Sequence, residues 1–200
     1  MKSKLFGALL SMMTILVLGI SVTQGFVTQE VKIYRNNVPV QAVQQLATNW
    51  CWAASDFMVL RYYQSASAPS EQCHVVGRSF NNGEICCNPN NANPNCNSTG
   101  FSTFFNYGLR YDLSSHSLDW NSLVSGFNDN KPLIFTWIFP GNNGGHIMVG
   151  SGYYNDGENL RVWRNDPLTG TSAWITYGQY YGYPYTNNQT GGNNYSNIRP

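Results

Sequence analysis

Charge is scarce in this sequence. Of 200 residues, only 10% are Asp, Glu, Lys or Arg, and 11 basic residues nearly balance 10 acidic ones. There is no basic run and no acidic tail. A net charge of +1 gives no electrostatic ground for a nucleic-acid partner. Histidine is rarer still, at His74, His116 and His146, so general acid–base chemistry has few candidates. Cysteine is limited to five, an odd number. Beyond the first 25 residues no apolar run is long enough to cross a bilayer, so no stable membrane association is expected of the mature chain. No internal repeat is visible. Solubility must rest on uncharged Asn, Ser, Thr, Gly and Tyr.

What is present begins with an export signal. The segment "MKSKLFGALLSMMTILVLGISVTQGF" sets Lys2 and Lys4 before an apolar run from Leu5 to Ile20, followed by small and polar residues. That order reads as a secretory signal peptide over residues 1–25, cut within Ser21 to Gly25. The mature protein is expected outside the cytoplasm, extracellular or periplasmic. There thiols tend to pair.

Four of the five cysteines, Cys73, Cys86, Cys87 and Cys96, lie in an Asn/Pro/Gly-rich stretch with little means of forming a core. Adjacent cysteines rarely bond to each other. Cys73 is therefore expected to pair with Cys86 or Cys87, and the other member with Cys96. A zinc site is disfavoured because C-x12-CC-x8-C lacks paired C-x2-C knuckles and only His74 is close. No metal or other cofactor is expected. Cys51 is left over, and its setting, "QQLATNWCWAAS", is unusual.

The chain order predicts an α+β fold. Extended structure is expected in "EVKIYRNNVPVQAV". From Cys51 the spacing of Ala53, Phe57, Leu60 and Gln64, thickened by Ala54 and Met58, predicts a helix with one apolar stripe. Further helices are expected from Glu71 to Gly77, from Ser102 to Gly108, and from Asp119 to Asn128 with Ser117 or Asp119 as cap. After Lys131-Pro132, "LIFTWIF", "HIMVGSGYY", "NLRVWR" and "SAWITY" read as antiparallel strands. "YGQYYGYPY" reads as edge-strand packing. Residues 26–185 are taken as one domain and residues 186–200 as an Asn/Gly-rich tail.

A thiol nucleophile needs a lowered pKa, and a helix N-terminus favours negative charge there. Cys51 stands where the helical pattern begins. It needs a base, and His146 opens a strand behind Gly144 and Gly145, which would let substrate backbone approach. The base needs an orienting group, and Asn165 and Asp166 lie at a strand end about twenty residues on. An oxyanion needs donors, and the Cys51 N–H with the Gln45 amide, six residues upstream, could provide them. Gln44 is the competing glutamine. Trp50 and Trp52 are read as packing at a lobe interface.

Gln45, Trp-Cys-Trp-Ala at Trp50 to Ala53, His146 and Asp166-Pro167 together resemble the papain-like cysteine peptidases. Within them the chain is most similar to the bacterial secreted branch that includes the staphopains and the plant-pathogen avirulence effector protease. The resemblance runs from about residue 30 to 180. It implies a two-lobe fold, with a helical lobe packed on an antiparallel β-sheet or barrel-like lobe. It implies Cys51 as nucleophile, His146 as acid–base, Asp166 as orienting residue and Gln45 as oxyanion donor. The activity implied is hydrolysis of peptide bonds in a protein or peptide, by a monomer.

The chain departs from papain at three points. Papain has asparagine as third member, so Asn165 is the alternative to Asp166. The cysteine cluster is an elaboration. Some twenty residues between the signal cut and Gln45 leave no room for a long inhibitory propeptide. Restraint then falls to a separate inhibitor or activator, to folding or to compartment. Cys-His-Asp chemistry also serves amidases, deamidases and transglutaminases, and a binding module could keep the fold without activity.

Overall fold

The computed structural model describes residues 34–63, 68–81, 83–88, 93–139, 144–182 and 190–200. The signal segment, Val31, Ile33 and Gln64 lie outside them. Four helices and seven strands occur among the described residues: β1 (Tyr34–Asn37), α1 (Cys51–Tyr63), α2 (Gln72–Ser79), β2 (Arg110–Ser114), α3 (Trp120–Asn128), β3 (Leu133–Ile138), β4 (Gly145–Asn155), β5 (Leu160–Asp166), β6 (Thr171–Thr176), α4 (Tyr177–Tyr181) and β7 (Thr190–Arg199). The fold is α+β. All strand pairs are antiparallel, in the order β2-β7-β3-β4-β5-β6, with β1 also paired to β4.

Helix α1 begins at the cysteine, with Ala54 N–H donating to the Trp50 carbonyl at 2.8 Å. Every residue from Trp52 to Leu60 is buried, Ser55 and Asp56 included. The expected single stripe is therefore corrected. A helix enclosed on all sides needs apolar residues all round, and Val59 with Trp52 fills the far faces. Ser55, one turn on from Cys51, donates its hydroxyl to the Ile147 carbonyl at 3.2 Å. That bond fastens the start of α1 to the start of β4.

Helix α3 is capped by Asp119, which accepts from the Ser122 N–H at 3.0 Å, as the spacing predicted. Phe104–Tyr107 forms only a 3-10 turn, closed by Gly108 at φ +79°, where a longer helix was expected. Arg110–Ser114, for which the sequence carried no expectation, is strand β2. The Tyr-rich segment is corrected from edge strand to helix α4. There Thr176 and Gln179 form a reciprocal capping box, and Tyr180 is buried in the core.

The C-terminal segment is the largest correction. Residues 190–199 are not a tail but strand β7, inserted between β2 and β3. Tyr195 and Ile198 are buried. Asn194 is fully buried, and its amide donates to the His116 and Gly192 carbonyls while accepting from the Tyr180 hydroxyl at 2.7 Å. Pairing on both edges and a satisfied amide override the poor strand propensity of Asn and Gly.

Candidate active site

Strand register decides which residue faces His146. Trp137 stands opposite His146 across β3 and β4, and Asn165 stands opposite Val149 across β4 and β5. Side chains alternate along a strand, so Asp166 turns to the face shared by Met148 and His146. Asn165 turns away. It is fully buried, donates to the Ser151 hydroxyl at 2.9 Å and accepts from the Ser172 hydroxyl at 2.7 Å. Asp166 Oδ1 lies 2.7 Å from His146 Nε2 and accepts the Leu168 N–H at 2.9 Å. Asp166 Oδ2 lies 3.4 Å from an Arg164 guanidinium nitrogen.

Cys51 reaches the same point from α1. It is the one free cysteine, partly buried, and its thiol hydrogen-bonds with the His146 side chain. Asp166 occupies Nε2, which leaves Nδ1 for the thiol. Burial pushes the Cys51 thiol up. The His146 bond, the Ile147 N–H, the His146 charge and the Trp52 N–H outweigh it, so the pKa falls below its ordinary 9.0. Burial pulls His146 down, but the bonds to Asp166 and Cys51 dominate and raise it to about 9. Burial raises Asp166, whereas the His146 bond, the Leu168 N–H and the Arg164 charge hold it below the usual carboxylate value. The shifts of Cys51 and His146 are reciprocal, because each group favours the charged form of the other.

The model of the family described as papain-like cysteine protease AvrRpt2 matches residues 32–181. The chain belongs to this family. Among curated proteins, none matches it. Membership gives the chain a papain-like cysteine protease kinship and a protein substrate class.

Gln45 differs from its family expectation in one respect. Its Nε2 donates to the Ala47 and Thr48 carbonyls at 2.9 and 2.7 Å, so both amide hydrogens are engaged by its own loop. Its Oε1 is buried without a partner among the described residues. The loop lies on the turn after Asp166: Gln45 N–H donates to the Pro167 carbonyl at 2.7 Å, and Gln44 Nε2 lies 3.4 Å from the Leu168 carbonyl. Gly170 meets this loop at φ +68°, where an added Cβ would come 2.9 Å from Gln44.

The glycines before His146 have local reasons. Gly144 has φ +86°, and a Cβ on Gly145 would come 2.5 Å from the Trp137 carbonyl. At Gly145 the close approach is to the neighbouring strand.

Trp50 and Trp52 are buried, and their indole N–H groups donate to the Cys96 and Ser98 carbonyls. They seat the disulfide segment beside Cys51. The bridges are Cys73–Cys87 and Cys86–Cys96. Cys73, His74 and Cys87 lie close enough to suggest a metal cluster, but both sulfurs are consumed by their disulfide. His116 is exposed, with Ser115 beside its Nδ1 at 2.9 Å. Three further residues at the site escaped sequence reading: Trp137, Arg164 and Gln72. Arg164 was accessible by strand alternation, two residues before Asp166. Gln72 carried no sequence signal.

Proposed function

We propose that this chain is an exported papain-like cysteine endopeptidase that cuts protein or peptide substrates through an acyl-enzyme on Cys51. The observation that carries the reading is the unbroken run of contacts from thiol to imidazole to carboxylate, with His146 Nε2 at 2.7 Å from Asp166. Two disulfides among the described residues support export, because such bonds persist in oxidising compartments.

The chemistry follows from the charges. The Cys51 thiolate attacks the substrate carbonyl carbon, and the carbonyl π electrons move to oxygen. The oxyanion meets the Cys51 backbone N–H at the start of α1, where helix N–H groups lack intrahelical acceptors. Gln45 serves as second donor by exchanging one loop carbonyl for the oxyanion. The His146 imidazolium gives its Nδ1 proton to the leaving amine as the C–N bond breaks, leaving a thioester. Neutral His146 then takes a proton from water, whose oxygen attacks the thioester carbon; the C–S bond breaks, which releases the acid and returns the Cys51 thiolate beside the His146 imidazolium. Asp166 keeps Nδ1 aimed at sulfur throughout.

The pKa directions set the working range. Below it the thiolate is protonated. Above about 9 His146 loses the proton that the leaving amine needs. Turnover therefore falls on both sides, with the alkaline limb near 9.

Cys51→Ala tests the reading: turnover of a protein substrate should vanish while the fold persists. New substrate N-termini mark peptide-bond cleavage, whereas ammonia release without new termini would indicate a side-chain amidase. Undiminished cleavage by Cys51→Ala would remove the assignment.

A further inference from the structure

Asp166 has two carboxylate oxygens, and His146 uses only one. Oδ1 takes the imidazole and the Leu168 N–H; Oδ2 faces Arg164 at 3.4 Å. Both side chains are well covered, at 19% and 9% exposure. The guanidinium carbon of Arg164 sits 5.9 Å from the centre of the Trp137 ring. Trp137 is the cross-strand partner of His146, and its own N–H is held by the Gln179 carbonyl at 3.0 Å. Arg164 Nε is buried with no partner among the described residues. The guanidinium is thus held by a carboxylate and an aromatic face rather than by a full set of hydrogen bonds.

We infer that Arg164 is a positioning residue of this site: it fixes the rotation of Asp166 through Oδ2 and supplies the positive charge that neutralises the buried cluster. This inference rests on the ion-pair reading proposed above. The charges acting there are the Cys51 thiolate from α1, the His146 imidazolium from β4, and Asp166 and Arg164 from β5. β3 contributes Trp137, which does not titrate. Two negative and two positive charges sum to zero. Without Arg164 the covered cluster is net negative, and every group in it binds protons more tightly. Without the Oδ2 contact, the carboxylate is held through Oδ1 alone, by His146 and the Leu168 N–H.

The test is the pH profile of Cys51 alkylation by a neutral haloacetamide, run on the mature oxidised protein. The wild type should show two inflections: one as the pair forms its thiolate, one as His146 deprotonates. Arg164→Gln should move both upward by about half a pH unit, because one unit charge is lost nearby. Arg164→Lys should keep both in place and slow turnover several-fold, since it restores charge without the planar fork. Unmoved inflections in Arg164→Gln would overturn the inference and leave Arg164 as packing against Trp137. If the Gln variant does not fold, the Lys variant decides: inflections that shift upward despite a retained charge overturn it equally. A wild-type profile with one inflection at the ordinary thiol value would instead remove the ion pair, and the proposed function with it.

Discussion

His146 and Asp166 sit on neighbouring strands of a sheet, whereas Cys51 follows a stretch with almost no regular structure of its own. On the strand side, position comes from register. The β3–β4 and β4–β5 ladders set His146 and Asp166 on one face, and alternation sends Asn165 to the other. On the Cys51 side, position comes from side chains reaching backbone. Asn49 N–H and amide bond to Asn97 at 3.2 and 2.7 Å, Trp50 and Trp52 reach Cys96 and Ser98, and Ser55 reaches Ile147. Gln72, buried at the start of α2, donates to the Gln44 carbonyl at 2.6 Å and accepts the Leu46 N–H at 3.0 Å, so it brackets Gln45. The segment that receives the tryptophans is stapled by Cys86–Cys96, and α2 by Cys73–Cys87. One half of the site is built on a ladder that forms cooperatively. The other half depends on covalent staples under a loop.

That contrast can be broken from either side. The largest effect is expected within the strand pair. Asp166→Ala should lower kcat by on the order of 10²-fold, because an unoriented imidazole loses its aim. Asn165→Ala, one position away, should leave the rate per folded molecule within about twofold and cost roughly 2 kcal/mol of stability from two broken buried hydrogen bonds. Steady-state kinetics and denaturant midpoints separate the two. The reverse ranking would exchange the third residue of the site.

The staple side comes next. Replacing Cys86 and Cys96 by Ser should cost about 3 kcal/mol for a loop of this length. Turnover should fall with it, while amide exchange in β4 and β5 stays slow. Equal loss of protection in those strands would show that the two halves are not separately held.

A smaller effect is expected at Gly100, where an added Cβ would come within 2.5 Å of the Trp52 ring. Gly100→Ala should destabilise by about 1–3 kcal/mol. An unchanged melting temperature would mean that the disulfide segment is not seated on Trp52.

The smallest concerns Asp56, which lies wholly buried five residues beyond Cys51. Its Oδ2 accepts the Thr103 N–H at 2.7 Å, but Oδ1 has no partner among the described residues. Burial raises the carboxyl from 3.8 to about 7 against the Thr103 bond. A raised acid contributes stability that is full below 3.8 and lost as pH rises through about 7. Asp56→Asn should therefore raise the melting temperature at alkaline pH by roughly 3 °C, about 1 kcal/mol. It should also flatten the pH dependence. Destabilisation at alkaline pH would contradict the burial argument.

The same contrast explains what could be read from the sequence. Helical spacing located α1 and α3, and runs of β-branched and aromatic residues between Gly, Asn and Pro located strands β3 to β6. Order along the chain singled out Cys51, His146 and Asp166, and the fold brings these three side chains into contact. What escaped was set by tertiary context. Asn194 and its neighbours have weak strand propensity, and only a buried amide network and pairing with β2 and β3 make them a strand. The choice between Cys86 and Cys87 as partner of Cys73 turns on side-chain direction in a 3-10 turn, which composition does not encode. The Gln45 amide was expected toward the oxyanion, yet the nearest acceptors are its own loop carbonyls. Trp50 and Trp52 showed their burial in sequence but not their partners, which lie more than forty residues away.

The most direct measurement is covalent labelling of the mature protein by an epoxide inhibitor selective for papain-like enzymes, mapped by mass spectrometry with His146→Ala as control. The account predicts a single adduct on Cys51 that disappears in the control. A folded protein with a free Cys51 that takes no label, or labels as readily without His146, would contradict an activated thiolate at this site.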